Sequence, residues 1–324
     1  MPNELDDQLT KYLTDAHSIE EQALAQLRAA PELAGDQVIA AAYAMHLEET
    51  EGHEARVRAL LEARGAAPSR IKDAVMAVGG KGFVLFARSQ PDTPGKLQAH
   101  SYSYEALELA SYELLARVAI RAGDDDVADE ARAIMVEESA MLDRLGATFD
   151  RATSASLAAL DPDDLAEQLR KYLADAHAIE EQAIGLLERG PRVAGSTTLA
   201  KAYADHLEES REHARLIDDR LQALGGDPSS LKDAALRLGA LNWSAFFQAQ
   251  PDTPGKLAAF VYAFEHLEMG GYEQLKRVAE RVGDDETVAL VTRILAEEHA
   301  AADRIAELFD DAVTASLYAV STTR

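Results

Sequence analysis

The 324-residue sequence contains no cysteine. This absence excludes a disulfide framework, a thiolate zinc site, an iron–sulfur cluster and a thiol nucleophile. Any metal that the chain binds must therefore be held by carboxylate, imidazole or water ligands. Hydrophobic residues still make up 47% of the chain, which is enough to bury the core of one large domain or of two smaller ones.

Positive charge is scarce, because 32 Lys and Arg residues stand against 57 Asp and Glu residues and leave a formal net charge of −25. Such a surface repels phosphate groups, which argues against nucleic acid or an anionic membrane as the main partner. Metal ions and cationic partners remain open.

Long apolar runs are missing as well, and none approaches the roughly 20 residues that span a membrane. Residues 1–7 are acidic, whereas a secretory signal would be basic and then apolar. We therefore expect a soluble, cytoplasmic protein without a membrane partner.

The chain contains a gapless internal duplication with a shift of 160 residues. The repeated stretches are 11–22, 43–49, 91–97 and 137–138, which return at 171–182, 203–209, 251–257 and 297–298. A copy of this length is far longer than a solenoid repeat, so each half is expected to form a domain with its own core. We place the two domains at residues 1–157 and 158–324.

Apolar residues recur at spacings of three and four, which predicts an all-α fold with almost no strand signal. In the first half, helix one is expected at 4–29, helix two at 36–64, helix three from Thr93-Pro94 to near Gly123, and helix four from Asp124 to about 153. A crossover between helices two and three holds a predicted short helix near 69–78 and the apolar residues 83–86. Four long helices with a long crossover predict a four-helix bundle.

Each predicted helix carries glutamate on its apolar face, close to its midpoint. The inward glutamates of the first half are Glu20, Glu49, Glu105, Glu108 and Glu138. Those of the second half are Glu180, Glu209, Glu265, Glu268 and Glu298. Antiparallel packing of helices of this length would gather each set into one layer.

These buried carboxylates need compensation, because each costs several kcal/mol to desolvate and a typical domain is stable by only about 5–15 kcal/mol. The inner stripes hold no Lys or Arg, which leaves bound cations, protonation or a water-filled interior. Divalent metals with oxygen and imidazole ligands satisfy both charge and geometry. His53 and its counterpart His213 are the best imidazole ligands; the histidines that could be ligands or could orient ligands are His17, His46, His177 and His206.

The stretches 13–22, 46–53, 105–112 and 137–138 together resemble the ferritin-like superfamily and, within it, the YciF-like family of bacterial stress-associated proteins. The resemblance covers essentially each half, and it implies two tandem ferritin-like four-helix bundles with long crossovers. It also implies a dinuclear iron or manganese centre in each half, held by the glutamates from all four helices.

Two departures from the ferritin-like pattern bear on the metal. Di-iron sites of that kind commonly have His three residues after Glu on helices two and four. Here His53 follows Glu49 by four residues, and helix four has Met141 where a His would stand. A carboxylate-rich centre of this composition favours Mn(II), Fe(III) or Ca(II).

Three hypotheses for the function follow, and the third requires a closed shell of many subunits. The first is metal binding linked to stress, or the reduction of oxygen or peroxide by a di-iron or di-manganese oxidoreductase of peroxidase, catalase or ferroxidase type, with His53 and Tyr112 as proton or hydrogen-bond groups. The second is a non-catalytic scaffold without stoichiometric metal. The third is iron storage. We also expect the halves to pair as an intramolecular pseudo-dimer through Phe83, Phe86, Trp243, Phe246 and Phe247, with further homo-oligomer formation left open.

Overall fold

The computed structural model describes residues 2–69, 73, 92–158, 160–161, 164–226 and 253–322. Most of the predicted short crossover helix near 69–78, the apolar residues 83–86 and the aromatic residues at 243–247 lie outside these described residues. Two compact units are present, Met1–Ala158 and Ala159–Arg324, and they are called the first half and the second half below.

Both halves are built from helices alone, with no strand among the described residues. The helices of the first half are α1 (Pro2–Leu27), α2 (Ala30–Leu33), α3 (Gln37–Ala63), α4 (Thr93–Ala122), α5 (Asp125–Gly146) and α6 (Phe149–Leu157). Those of the second half are α7 (Leu165–Leu187), α8 (Gly190–Val193), α9 (Thr197–Ala223), α10 (Thr253–Val282), α11 (Asp285–Glu307) and α12 (Phe309–Thr322). The prediction of an all-α protein with a two-part repeat is confirmed.

In each half the four long helices form a closed ring around one core. In the first half α1 packs on α3 and α4, and α5 packs on the same two helices from the other side. In the second half α7 and α11 pack on α9 and α10 in the same way. Because every long helix has two neighbours in the ring, side chains from all four can meet in the middle.

The starts of the long helices follow from local chemistry. Asp36 accepts hydrogen bonds from the backbone N–H groups of Val38 and Ile39 and so caps α3. Asp124 caps α5 through the N–H of Val127, directly after Gly123 has ended α4 with a left-handed φ of 75°.

Two predicted boundaries need correction. Helix one does not reach residue 29; α1 ends at Leu27, and Pro31 lies in the first turn of the short helix α2, where its missing N–H is tolerated. Helix four is not continuous to residue 153, because α5 ends at Gly146 and α6 begins at Phe149.

Gly35 connects α2 to α3 under two constraints that only glycine meets. Its φ is +66°, and a Cβ placed there would lie 2.8 Å from Cγ of Pro94. Gly52, in the interior of α3, is a matched contrast, because a Cβ there meets nothing within 4 Å.

We expect Gly35→Ala to lower the free energy of unfolding by about 1–3 kcal/mol, because the new methyl group is strained and clashes. Gly52→Ala should instead raise it by up to about 1 kcal/mol through helix propensity. Urea denaturation followed by circular dichroism measures both. Equal effects of the two substitutions would contradict this account of the α2–α3 turn.

Candidate metal centre

Six titratable side chains meet in the core of each half. In the first half they are Glu20 (α1), His46 and His53 (α3), Glu105 and Glu108 (α4) and Glu138 (α5), none more than 3% exposed. In the second half they are Glu180, His206, His213, Glu265, Glu268 and Glu298, none more than 2% exposed. Each set is called the core cluster of its half.

The rotation of α3 decides which of its side chains enter the core cluster. The core-facing side chains of this helix are Ile39, Tyr43, His46, Thr50, His53, Val57 and Leu61. The observed core-facing side differs from the predicted one by one residue, because Thr50 is buried where Glu49 was expected. His46 and His53 point inward, and Thr50 takes the core position that was predicted for Glu49.

Glu138 lies at the centre of the first core cluster. Its Oε1 is 2.7 Å from Nδ1 of His53, and its Oε2 is 3.4 Å from Nε2 of His46. The Nε2 of His46 is also 2.9 Å from Oε2 of Glu105. On the other side, Nδ1 of His53 lies 3.8 Å from Oε2 of Glu20.

These contacts form two groups of ligand atoms that share one carboxylate. The first group is His46, Glu105, Glu108 and Glu138, and the second is Glu20, His53 and Glu138; within each, the ligand atoms lie within 4.8 Å of one another. The second half repeats both groups with its own core cluster and shares Glu298. A carboxylate common to two groups is the arrangement that can bridge two ions.

Each inward histidine is oriented by a carboxylate on its outer nitrogen. Nε2 of His53 lies 2.6 Å from Oε2 of Glu137, which Arg56 also contacts at 2.7 Å. Nδ1 of His46 lies 2.9 Å from Oε2 of Glu49. Because the outer nitrogen is held this way, the inner nitrogen of each ring faces the core cluster with its lone pair or proton.

Glu49 is therefore not part of the core cluster, contrary to its predicted place among the ligands. Its side chain is 24% exposed and also lies 3.4 Å from Arg144. Glu209 repeats this position in the second half, 3.1 Å from His206 and paired with Arg304. Sequence reasoning missed Glu137 and Glu297 as orienting groups, although the repeated Glu-Glu pair was a visible signal.

Many polar atoms of the core cluster lack a hydrogen-bond partner of suitable geometry. In the first half these are Oε2 of Glu20, Nε2 of His46, Nδ1 of His53, Oε2 of Glu105 and both carboxylate oxygens of Glu108 and of Glu138. The equivalent eight atoms of the second half are in the same condition. Buried polar atoms almost always have a hydrogen-bond partner. Because the same eight atoms lack one in both halves, a bound ion that accepts their lone pairs would account for the arrangement.

Burial and crowding separate the pKa values of the core carboxylates. Burial, then the charge of Glu138, raises the pKa of Glu20 to about 8, and burial raises that of Glu105 to about 7. Burial and the charge of Glu138 hold the pKa of Glu108 well above its usual range. For Glu138 the raising effect of burial is outweighed by His46 and His53, and its pKa falls to about 2.

Burial lowers the pKa of the histidines, whereas the neighbouring carboxylates raise it. Burial alone would lower the pKa of His46, but the charge of Glu105 raises it to about 12. In the second half, the neighbouring carboxylates of Glu180 and Glu298 raise the pKa of His213 to about 11 against the effect of burial. Without metal, the cluster thus balances its charge with two imidazolium groups and with protons on carboxylates.

Tyr112 borders the core cluster and donates a hydrogen bond from its hydroxyl to Oε1 of Glu20. Tyr272 does the same to Glu180. Both rings are 1% exposed, so each hydroxyl acts in a dry environment. On α5, one turn after Glu138, the fully buried Met141 supplies no nitrogen ligand.

His17 belongs to a separate group, in which His17 and Glu54 are buried. Its Nε2 lies 2.7 Å from Glu54 and its Nδ1 3.3 Å from Asp73, and Arg58 pairs with Glu54. The second half has Ala214 at the position of Glu54, so this group is not repeated there. The charges of the group are met by its own ion pairs.

The fold and the core clusters together define a class: an all-helical protein of two tandem bundles, each with a buried carboxylate–imidazole centre able to hold metal. A family model with the description "Domain of unknown function (DUF892)" matches residues 4–158 and again residues 164–318. The chain belongs to this family and carries two copies of its domain. No solved structure matches the chain. Among the described residues, no helix has the length and apolarity to cross a membrane.

The raised pKa values predict how the stability of the metal-free protein depends on pH. Glu20 and Glu105 stabilise the fold fully when the pH is below their ordinary pKa of 4.5. This stabilisation is lost as the pH rises towards the pKa in the folded protein, about 8 for Glu20 and about 7 for Glu105. Each group should lower the free energy of unfolding by up to about 1.4 kcal/mol per pH unit in its window. His46 acts in the same direction at higher pH.

Urea denaturation of chelator-treated protein at a series of pH values measures this slope. The Glu20→Gln/Glu105→Gln variant should flatten it, and the exposed Glu48→Gln should leave it unchanged. A metal-free protein whose stability rises over the same interval would show that these carboxyls are ionised in the fold.

Proposed function

We propose that the protein binds a dinuclear metal centre in the core cluster of each half. The observation that carries the proposal is the set of eight unsatisfied ligand atoms, present in both halves and contributed by four carboxylates and two imidazoles. Glu138 in the first half and Glu298 in the second belong to both ligand groups of their core cluster and would help to hold both ions. The remaining ligands are Glu20, His46, His53, Glu105 and Glu108, and their counterparts Glu180, His206, His213, Glu265 and Glu268.

The donor set favours iron or manganese. Carboxylate oxygens suit Mn(II) and Fe(III), and two inward imidazoles suit iron better than calcium. Calcium prefers oxygen ligands alone, so the inward placement of His46 and His53 argues against it. The relation to ferritin-like di-metal proteins that the sequence motifs imply agrees with this assignment.

We further propose that the centre serves the handling of oxygen, peroxide or metal under stress, as a di-metal oxidoreductase. Bound iron or manganese would supply one-electron redox chemistry and Lewis acidity. The protein itself supplies a dry pocket, and Tyr112 holds a proton against Glu20. The outer nitrogen of His53 can hold a proton against the part-exposed Glu137, whose Oε2 lies 2.6 Å away.

The metal content of the purified protein tests the proposal first. Protein produced in medium with added iron and manganese should contain about two ions per half, and metal should raise the thermal midpoint through linkage. Glu138→Gln with Glu298→Gln should remove most of the metal, because each of these carboxylates belongs to both groups. Elemental analysis measures the content.

Glu48→Gln with Glu208→Gln is the matched control, since both side chains are exposed on the same helices. This control should keep its full metal content. Protein without stoichiometric metal in either preparation would refute the proposal and favour a non-catalytic helical scaffold.

The orienting carboxylates generate a separate expectation. Glu49→Gln and Glu137→Gln should each weaken metal binding about 10–100-fold without changing the number of ions bound, because they loosen a histidine ring and do not remove a ligand. Competition titration with a chelator gives the affinities. A loss of half the ions in Glu49→Gln would instead make Glu49 a ligand.

A further inference from the structure

A small cavity lies beside the core cluster of the first half, between α1 and α4. Its lining residues are Ala23, Gln26, Leu27, Ala30, Ser101, Tyr104 and Glu105. It has room for about one water molecule. Glu105 belongs to the core cluster, so the cavity opens directly onto a proposed metal ligand.

One of the side chains that line the cavity, Gln26, has a buried amide nitrogen without a hydrogen-bond partner. Gln26 is 5% exposed, and its Nε2 has no hydrogen-bond acceptor. The Oε1 of the same amide lies 3.0 Å from Nε2 of His100, a half-buried residue on α4. Gln26, Ser101 and Glu105 together offer a water the two to four polar partners that it needs.

The second half replaces this polar lining with apolar side chains. The residues at the positions of Gln26, His100, Ser101 and Tyr104 are Leu186, Phe260, Val261 and Phe264. Leu186 is 8% exposed and Val261 1% exposed, so both are packed inside. All six core-cluster residues are meanwhile identical between the halves, and the difference is confined to what surrounds them.

We propose that the two centres differ in solvent access: water reaches the first core cluster past Gln26 and Ser101. Leu186 and Val261 close that route in the second half. The first half is thus the reactive centre and the second half a sealed one. This inference rests on the proposed metal binding, but it concerns only residues outside the ligand set.

The physical basis is the cost of moving a polar molecule through the packed wall of a bundle. A water in the first half can exchange hydrogen bonds with the Gln26 amide and the Ser101 hydroxyl as it approaches Glu105. Between Leu186 and Val261 it would lose them without replacement, which disfavours entry.

Water-proton relaxation by bound Mn(II) tests the proposal, because it reports exchange of water at the ion. Glu298→Gln leaves only the first half able to load, and Glu138→Gln only the second. The relaxivity per bound Mn(II) should be several-fold higher in the Glu298→Gln protein. Equal values in the two proteins would overturn the proposal.

Exchange of the lining residues between the halves gives the decisive comparison. Gln26→Leu/Ser101→Val, in the Glu298→Gln background, should lower the relaxivity to that of the second half. Leu186→Gln/Val261→Ser, in the Glu138→Gln background, should raise it. The residues introduced already pack at the equivalent positions of this chain, and failure of both exchanges to alter relaxivity would refute the assigned route.

A measurement on the metal-free protein tests solvent access even if the proposed metal binding is wrong. If no Mn(II) binds, metal binding fails, and a crystal structure of the metal-free protein then decides access by itself. An ordered water bonded to Gln26 and Ser101, with none beside Leu186 and Val261, would support the route. A dry cavity at Gln26, or a water at both positions, would overturn it.

Discussion

Four carboxylates in a space shielded from water are the constraint on which each half depends. Their mutual repulsion and desolvation oppose folding unless positive charge is close. The two imidazoles of α3 supply part of that charge and lower the pKa of Glu138 to about 2, while burial raises the pKa of Glu20 to about 8. A pair of divalent ions would complete the balance that protons provide in their absence.

Carboxylates around the core cluster fix the orientation of the two histidine rings. Each ring is held at its outer nitrogen by a part-exposed glutamate, and arginine at the surface contacts those glutamates in turn. The acidic residues of α3 and α5 therefore differ in burial, some lying in the core and others near the surface. Glu138 faces inward and contacts both imidazoles, whereas its neighbour Glu137 faces outward and positions one of them.

Duplication preserved the core clusters and allowed their surroundings to diverge. Burial, unsatisfied atoms and histidine contacts are repeated from one half to the other. The His17–Glu54 pair and the polar lining at Gln26 and Ser101 occur in the first half, where the second has Ala214, Leu186 and Val261. The residues of the core clusters are therefore retained in both copies, whereas the side chains around them differ.

The sequence by itself determined the all-helical fold, the duplication and the core-facing residues of each half apart from Glu49 and Glu209, because spacing along a helix and mid-helix position follow from local geometry. It did not determine the rotation of α3. Val38 and Met45 are exposed on that helix, at 48% and 42%, so its apolar residues do not mark one face. Only packing of α3 against α1 and α5 placed Thr50 in the core and left Glu49 at the surface of the bundle.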